Sequence, residues 1–110
     1  LGILTRNDHA LAKLTLEAIG VGELFDDADI IGREEAVPKP SPDGLQQHLR
    51  RWGIAAAQAV MVGDHAYDLD CGRAAGTHTV LVNLPDNPWP GRADWHFADC
   101  RALLAAWQGA

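Results

Sequence analysis

Apolar positions change their spacing several times along the chain, and each change marks an element. Gly2-Ile3-Leu4-Thr5 is a short apolar run that closes on a hydroxyl and reads as the end of a strand. Asp8 fits a helix N-cap, and Leu11, Leu14, Ala18 and Ile19 follow at helical spacing until Gly20 and Gly22 interrupt it. Asp29-Ile30-Ile31-Gly32 predicts a second short strand. Val37-Pro38-Lys39-Pro40-Ser41-Pro42 cannot be helical, because prolines at alternate positions fix φ and remove amide donors. A helix is predicted directly after it, with Ser41 as cap, Pro42 as first residue and Leu45, Leu49 and Trp52 as its apolar stripe.

Farther on, Ala59 to Val62 is apolar without interruption, which predicts a strand covered on both faces. A helix from about Tyr67 to Ala75 stops at Gly76, and Thr79 to Val82 is a fourth strand. Pro85 to Gly91 is loop by composition, and Trp95-His96-Phe97 predicts a short edge strand. Asp99 caps a last helix, with Leu103, Leu104 and Trp107 expected on its buried side. Strands alternating with helices predict an α/β fold over residues 1–110, a parallel sheet with helices on both faces. In such sheets ligands collect beyond the carboxyl ends of the strands.

Composition narrows the partners. The net charge of −6, with nine basic residues scattered along the chain, argues against a nucleic-acid surface. No apolar run approaches the length needed to cross a bilayer, so no membrane partner is expected. Cys71 and Cys100 lack any motif spacing and read as reduced thiols, from which a cytoplasmic location is expected. The five histidines show no metal-ligand spacing. His65 reads as a turn residue, Trp52 and Trp107 as core, and Trp89 and Trp95 as the flanks of a loop.

The chemistry lies at the predicted strand ends. Thr5, Arg6 and Asn7 follow the first strand, Lys39 follows the second, and Asp64 and Asp68 follow the third. Thr5 and the amides of the next helix N-terminus suit phosphate oxygens. Lys39 is a point cation able to offset phosphate or carboxylate charge. Asp64 offers a hard oxygen to Mg²⁺, which needs only one or two carboxylates besides water and substrate. Asp68, four residues on, can hold Lys39 or a metal-bound water. Asp70 reads as a solvated helix residue.

T-R-N after a strand, P-K-P before a helix and G-D-x-x-x-D followed by A-A-G together resemble the haloacid dehalogenase superfamily, and within it the phosphatases of the phosphoglycolate type. The resemblance implies a Rossmann-like core and Mg²⁺-dependent hydrolysis of a small phosphorylated metabolite. It makes Thr5, Lys39 and Asp68 catalytic, Asp64 a metal ligand, and Thr5, Arg6, Asn7 and Lys39 substrate contacts. The Gly63-Asp64 form of the last motif favours the phosphatases over the metal-free dehalogenases. One departure is large: no Asp-x-Asp-Gly-Thr segment, which carries the nucleophile and general acid/base in these enzymes, occurs here, nor does a helical cap. The expectation is therefore a C-terminal portion of the core that lacks its first, central strand. Such a piece would be inactive alone and prone to self-association through unpaired edges. A phosphomutase of the same superfamily and a non-catalytic α/β module are the alternatives.

Overall fold

The computed structural model describes residues 1–109, and its elements alternate as the apolar pattern predicts. In chain order they are β1 (Ile3–Leu4), α1 (His9–Ala18), β2 (Ile30–Ile31), α2 (Asp43–Trp52), β3 (Val60–Gly63), α3 (Ala66–Ala75), β4 (His78–Leu81), β5 (Trp95–His96) and α4 (Cys100–Gln108), with three short 3₁₀ turns between them. All strand pairs are parallel. They form two separate sheets, β1–β2 and β3–β4–β5, so β1 and β3 each present an unpaired edge among the described residues.

The helix ends follow their local chemistry. Asp8 and Asp99 accept from the amides of Leu11 and Ala102 at 2.7 and 2.8 Å, capping α1 and α4. Ser41 Oγ accepts from the Asp43 amide at 3.2 Å, while Pro42 sits one place outside the hydrogen-bonded helix. Gly76 ends α3 in the left-handed region at φ 85°, where a side chain would be strained.

The core joins the two sheets through helices rather than strands. Leu45 of α2, Met61 of β3 and Cys71 of α3 are buried together, with Leu4 and Ala75 packed against them, and Leu69 and Leu81 are fully enclosed. His48 and Trp52 fasten α2 to the first sheet. The imidazole Nε2 donates to the Ile3 carbonyl at 2.8 Å, the ring stacks on Trp52 at 4.8 Å, and Trp52 Nε1 donates to Asp29 at 2.9 Å.

Two expectations about burial need correcting. The β3 strand is covered on one face only: Met61 is buried, but Val60 and Val62 are 43% and 41% exposed. They line a groove of about 410 Å³ between the sheet and α4, which stands off the sheet instead of closing on it. Leu104 and Trp107 of α4 are accordingly exposed, and Leu103 is the half-buried member of its stripe. On α1 only Ala12 is buried, while Leu11, Leu14 and Ile19 face solvent, because the helix meets β2 and the adjoining 3₁₀ turn but has no second layer over its stripe.

Candidate functional site

The carboxyl ends of β1 and β3 open into one cleft of about 340 Å³, lined by Thr5, Arg6, Asn7, Lys39, Asp64, His65, Tyr67 and Asp68. All six residues singled out in the sequence are therefore brought together, although they come from three segments separated by up to 63 positions.

At the centre lies a buried ion pair. Lys39 Nζ donates to Asp68 Oδ1 at 2.6 Å and to the Leu4 carbonyl at 3.0 Å, with side-chain exposures of 12% and 10% for the two charged partners. The other Asp68 oxygen accepts from the amides of Asp64 and His65 at 3.1 and 3.2 Å. Asp68 thus closes the first turn of α3 onto itself and holds the ammonium over the end of β1. Two features make this geometry available. The proline-rich segment after β2 delivers the lysine to the end of β1. Gly63 leaves room for the aspartate, since a Cβ there would overlap the Asp68 side chain.

The Thr5 segment is equally determined. Thr5 continues the ladder, its amide donating to Ile31 O at 3.0 Å, and its hydroxyl oxygen accepts from the Asn7 amide at 3.1 Å. That leaves the Thr5 hydroxyl proton free to donate into the cleft. The α1 N-terminus is not a bare anion site, because the Asp8 carboxylate caps its first turn. The cap takes up the Leu11 amide.

Asp64 differs from Asp68. It is exposed at the cleft, its amide is anchored by Asp68, and its carboxylate accepts no hydrogen bond from the described residues. A free hard-oxygen donor at the mouth of this cleft fits one ligand of Mg²⁺. Among the described residues no three His, Cys, Asp or Glu side chains gather as a ligand set. Asp70 points elsewhere, facing Arg92 at 3.8 Å.

Sequence reasoning missed the aromatic rim. His65 is the N-cap of α3, its Nδ1 accepting from the Tyr67 amide at 3.1 Å. Its ring meets Tyr67 edge-on at 4.7 Å and Trp89 at 5.5 Å, and the Arg6 guanidinium lies 5.1 Å over the Tyr67 ring centre. Only a tryptophan in a proline-rich loop hinted at this rim, and nothing in the spacing joined Trp89 to His65.

Comparison with known proteins bears on these motifs directly. A family model described as haloacid dehalogenase-like hydrolase matches residues 1–76. Pyrophosphatase PpaX of Bacillus velezensis is 34% identical over 82 residues, which is 74% of this chain and 38% of that protein. A phosphoglycolate phosphatase of Rhodospirillum rubrum is 33% identical over 84 residues, 76% of this chain and 34% of that protein. The chain spans little more than a third of the length of these curated relatives. A hydrolase of the same superfamily from Deinococcus radiodurans, solved with bound phosphate and sodium, superposes on 98% of this chain and 51% of its own with a TM-score of 0.81. At 22% identity that likeness speaks for the fold.

Proposed function

The chain belongs to the haloacid dehalogenase-like hydrolase family, and from that premise we propose that its cleft is part of a phosphomonoesterase site acting on a small phosphorylated metabolite. The observation that carries the reading is the convergence of Thr5, Lys39, Asp64 and Asp68 on one cleft at the strand ends. Each group has a task that suits phosphoryl transfer, in which positioning and charge stabilisation do most of the work. The Thr5 hydroxyl donates to a phosphoryl oxygen. Lys39, oriented by Asp68 and Leu4 O, places positive charge beside the transferring group.

In this reading Asp64 is one ligand of Mg²⁺, and the metal when bound neutralises charge on the phosphoryl oxygens. The attacking carboxylate comes from an aspartate outside these 110 residues. It would displace the substrate's alcohol by breaking the P–O ester bond, giving an aspartyl-phosphate, and water would then release inorganic phosphate and return the carboxylate. Two facts support an outside nucleophile. Asp68 is already committed to three donors, and the chain has no Asp-x-Asp-Gly-Thr segment.

The test is Asp64→Asn in the protein at its full natural length, with an aryl phosphate as substrate. The reading expects a loss of at least about a hundredfold in Mg²⁺-dependent kcat/KM, on the order of 3 kcal/mol of transition-state stabilisation. Activity that survives the substitution unchanged sinks it.

A further inference from the structure

Thr5 and Asn7 enter the cleft on an irregular loop, and a side chain on a loop serves chemistry only as well as its backbone is held. Two backbone bonds tie this loop to the neighbouring segment. The Thr5 amide donates to Ile31 O at 3.0 Å, and the Arg33 amide donates to the Asn7 carbonyl at 3.0 Å. The Asn7 amide in turn donates to Thr5 Oγ1 at 3.1 Å, so whatever holds Asn7 also sets the threonine hydroxyl. The two segments approach as closely as a backbone allows. Gly32 is buried, and a Cβ there would lie 2.7 Å from the His9 amide nitrogen and 2.8 Å from the Asn7 carbonyl oxygen.

One acidic side chain outside the cleft fixes the turn that carries the Arg33 amide. Glu35 is exposed, yet its Oε1 accepts from the Gly32 amide at 2.9 Å while its own amide donates to Gly32 O at 3.3 Å. These reciprocal bonds close the turn over 32–35 from both ends, with Arg33 between them. Gln47 of α2 adds a bond from Nε2 to Glu35 O at 3.0 Å, which seats the turn on the helix. The Gly32 bond is charge-assisted, and no cation competes for the Glu35 carboxylate among the described residues. Farther along the same segment, Lys39 reaches Leu4 O and Asp68. The Glu35 turn thus stands between Thr5 and Lys39, the two side chains that the phosphatase reading assigns to the phosphoryl group.

We propose that Glu35 is a positioning residue of the cleft: by holding the Gly32 amide it fixes the Arg33 amide against Asn7 O, and through Asn7 it sets the Thr5 hydroxyl. Glu35 touches no substrate and acts only through this chain of bonds. The inference rests on the phosphatase reading above and deepens it. The acceptor matters here, not the charge, so a side chain that keeps the oxygen and loses the charge should keep most of the effect.

Glu35→Ala and Glu35→Gln test it in the protein at its full natural length, with p-nitrophenyl phosphate as substrate. Two readouts are taken: kcat and KM per folded molecule, and amide hydrogen exchange at Asn7 and Arg33 by NMR. Glu35→Ala should speed exchange at both amides by about tenfold or more, the scale of a lost charge-assisted bond. It should lower kcat by about tenfold or more and move KM less, because contacts to the transferring group count most in the transition state. Glu35→Gln should restore most of both, since its amide oxygen still accepts from Gly32. Exchange that Glu35→Ala leaves alone overturns the proposal. So does a kcat within about twofold of native, a loss confined to KM, or a Glu35→Gln protein as impaired as Glu35→Ala. Exchange that responds as expected, in a protein that hydrolyses no phosphomonoester even unmutated, keeps the brace and sinks the phosphatase reading instead.

Discussion

Replacing Lys39 by methionine keeps most of the side-chain volume and removes the ammonium from a carboxylate that cannot follow it into solvent. The Asp68 side chain is 10% exposed and would keep only the two amide donors of Asp64 and His65, at 3.1 and 3.2 Å. Breaking a buried pair by deleting one partner costs about 3–5 kcal/mol, mostly the penalty on the charge left behind. The surviving amide bonds put Lys39→Met at the lower end, about 3 kcal/mol, a large share of the 5–15 kcal/mol typical for a domain. Asp68→Asn has its own cost, since an amide NH₂ or a weaker acceptor then faces the ammonium. In the double variant neither charge remains, so its cost should fall short of the sum by about 2 kcal/mol. Urea denaturation of the four proteins at neutral pH measures the cycle, provided the m-value stays constant. A Lys39→Met cost below about 0.5 kcal/mol, together with no coupling, would refute the claim that this pair is buried and mutually dependent.

Three further outcomes follow from the same geometry. Burial holds the His48 imidazole below its usual pKa, and its Nδ1 is buried with no partner among the described residues. The unfolded chain therefore binds this proton more readily near pH 6.5 and below. Stability from this group is present above about pH 6.5 and is lost as pH falls toward the folded value, at no more than about 1.4 kcal/mol per pH unit. Urea midpoints between pH 7.5 and 5 should show the slope, and His48→Gln should flatten it. Burial also pushes the Cys71 thiol up to about 11, whereas Cys100 is exposed. One thiol should react promptly with a maleimide under native conditions and two after denaturation, and two prompt thiols would contradict the packing. Gly63→Ala forces the Asp68 side chain out of its place, so it should cost about 1–3 kcal/mol in a denaturation curve and, on the proposed function, lower the full-length protein's phosphatase activity.

Much of this was legible in the chain because local chemistry and tertiary structure agree. The apolar runs at Ile3, Ile30, Val60 and Thr79 are all parallel strands, and the capping residues Asp8 and Asp99 begin their helices. Strand ends told where Thr5, Lys39, Asp64 and Asp68 would meet, because parallel sheets put loop residues on one rim. Burial was less legible. A run such as Val60-Met61-Val62 carries no period, and whether both faces are covered depends on how closely α4 seats, which no residue in the run encodes. Trp107 fails for the same reason: a helical stripe shows which face is apolar, not that something lies against it. The His65–Tyr67–Trp89 rim was hidden because it depends on where an irregular loop returns, and loop paths have no periodic signature.

The central claim is that this cleft supplies the phosphate, lysine and metal contacts of a phosphatase, while the nucleophile lies outside these 110 residues. Rapid-quench labelling of the full-length protein with a ³²P-phosphomonoester, followed by peptide mapping of the trapped acyl-phosphate, tests it directly. The account predicts label on an aspartate that is not in this sequence, with the peptide containing Asp64 and Asp68 unlabelled. Label on either of those two residues would contradict it.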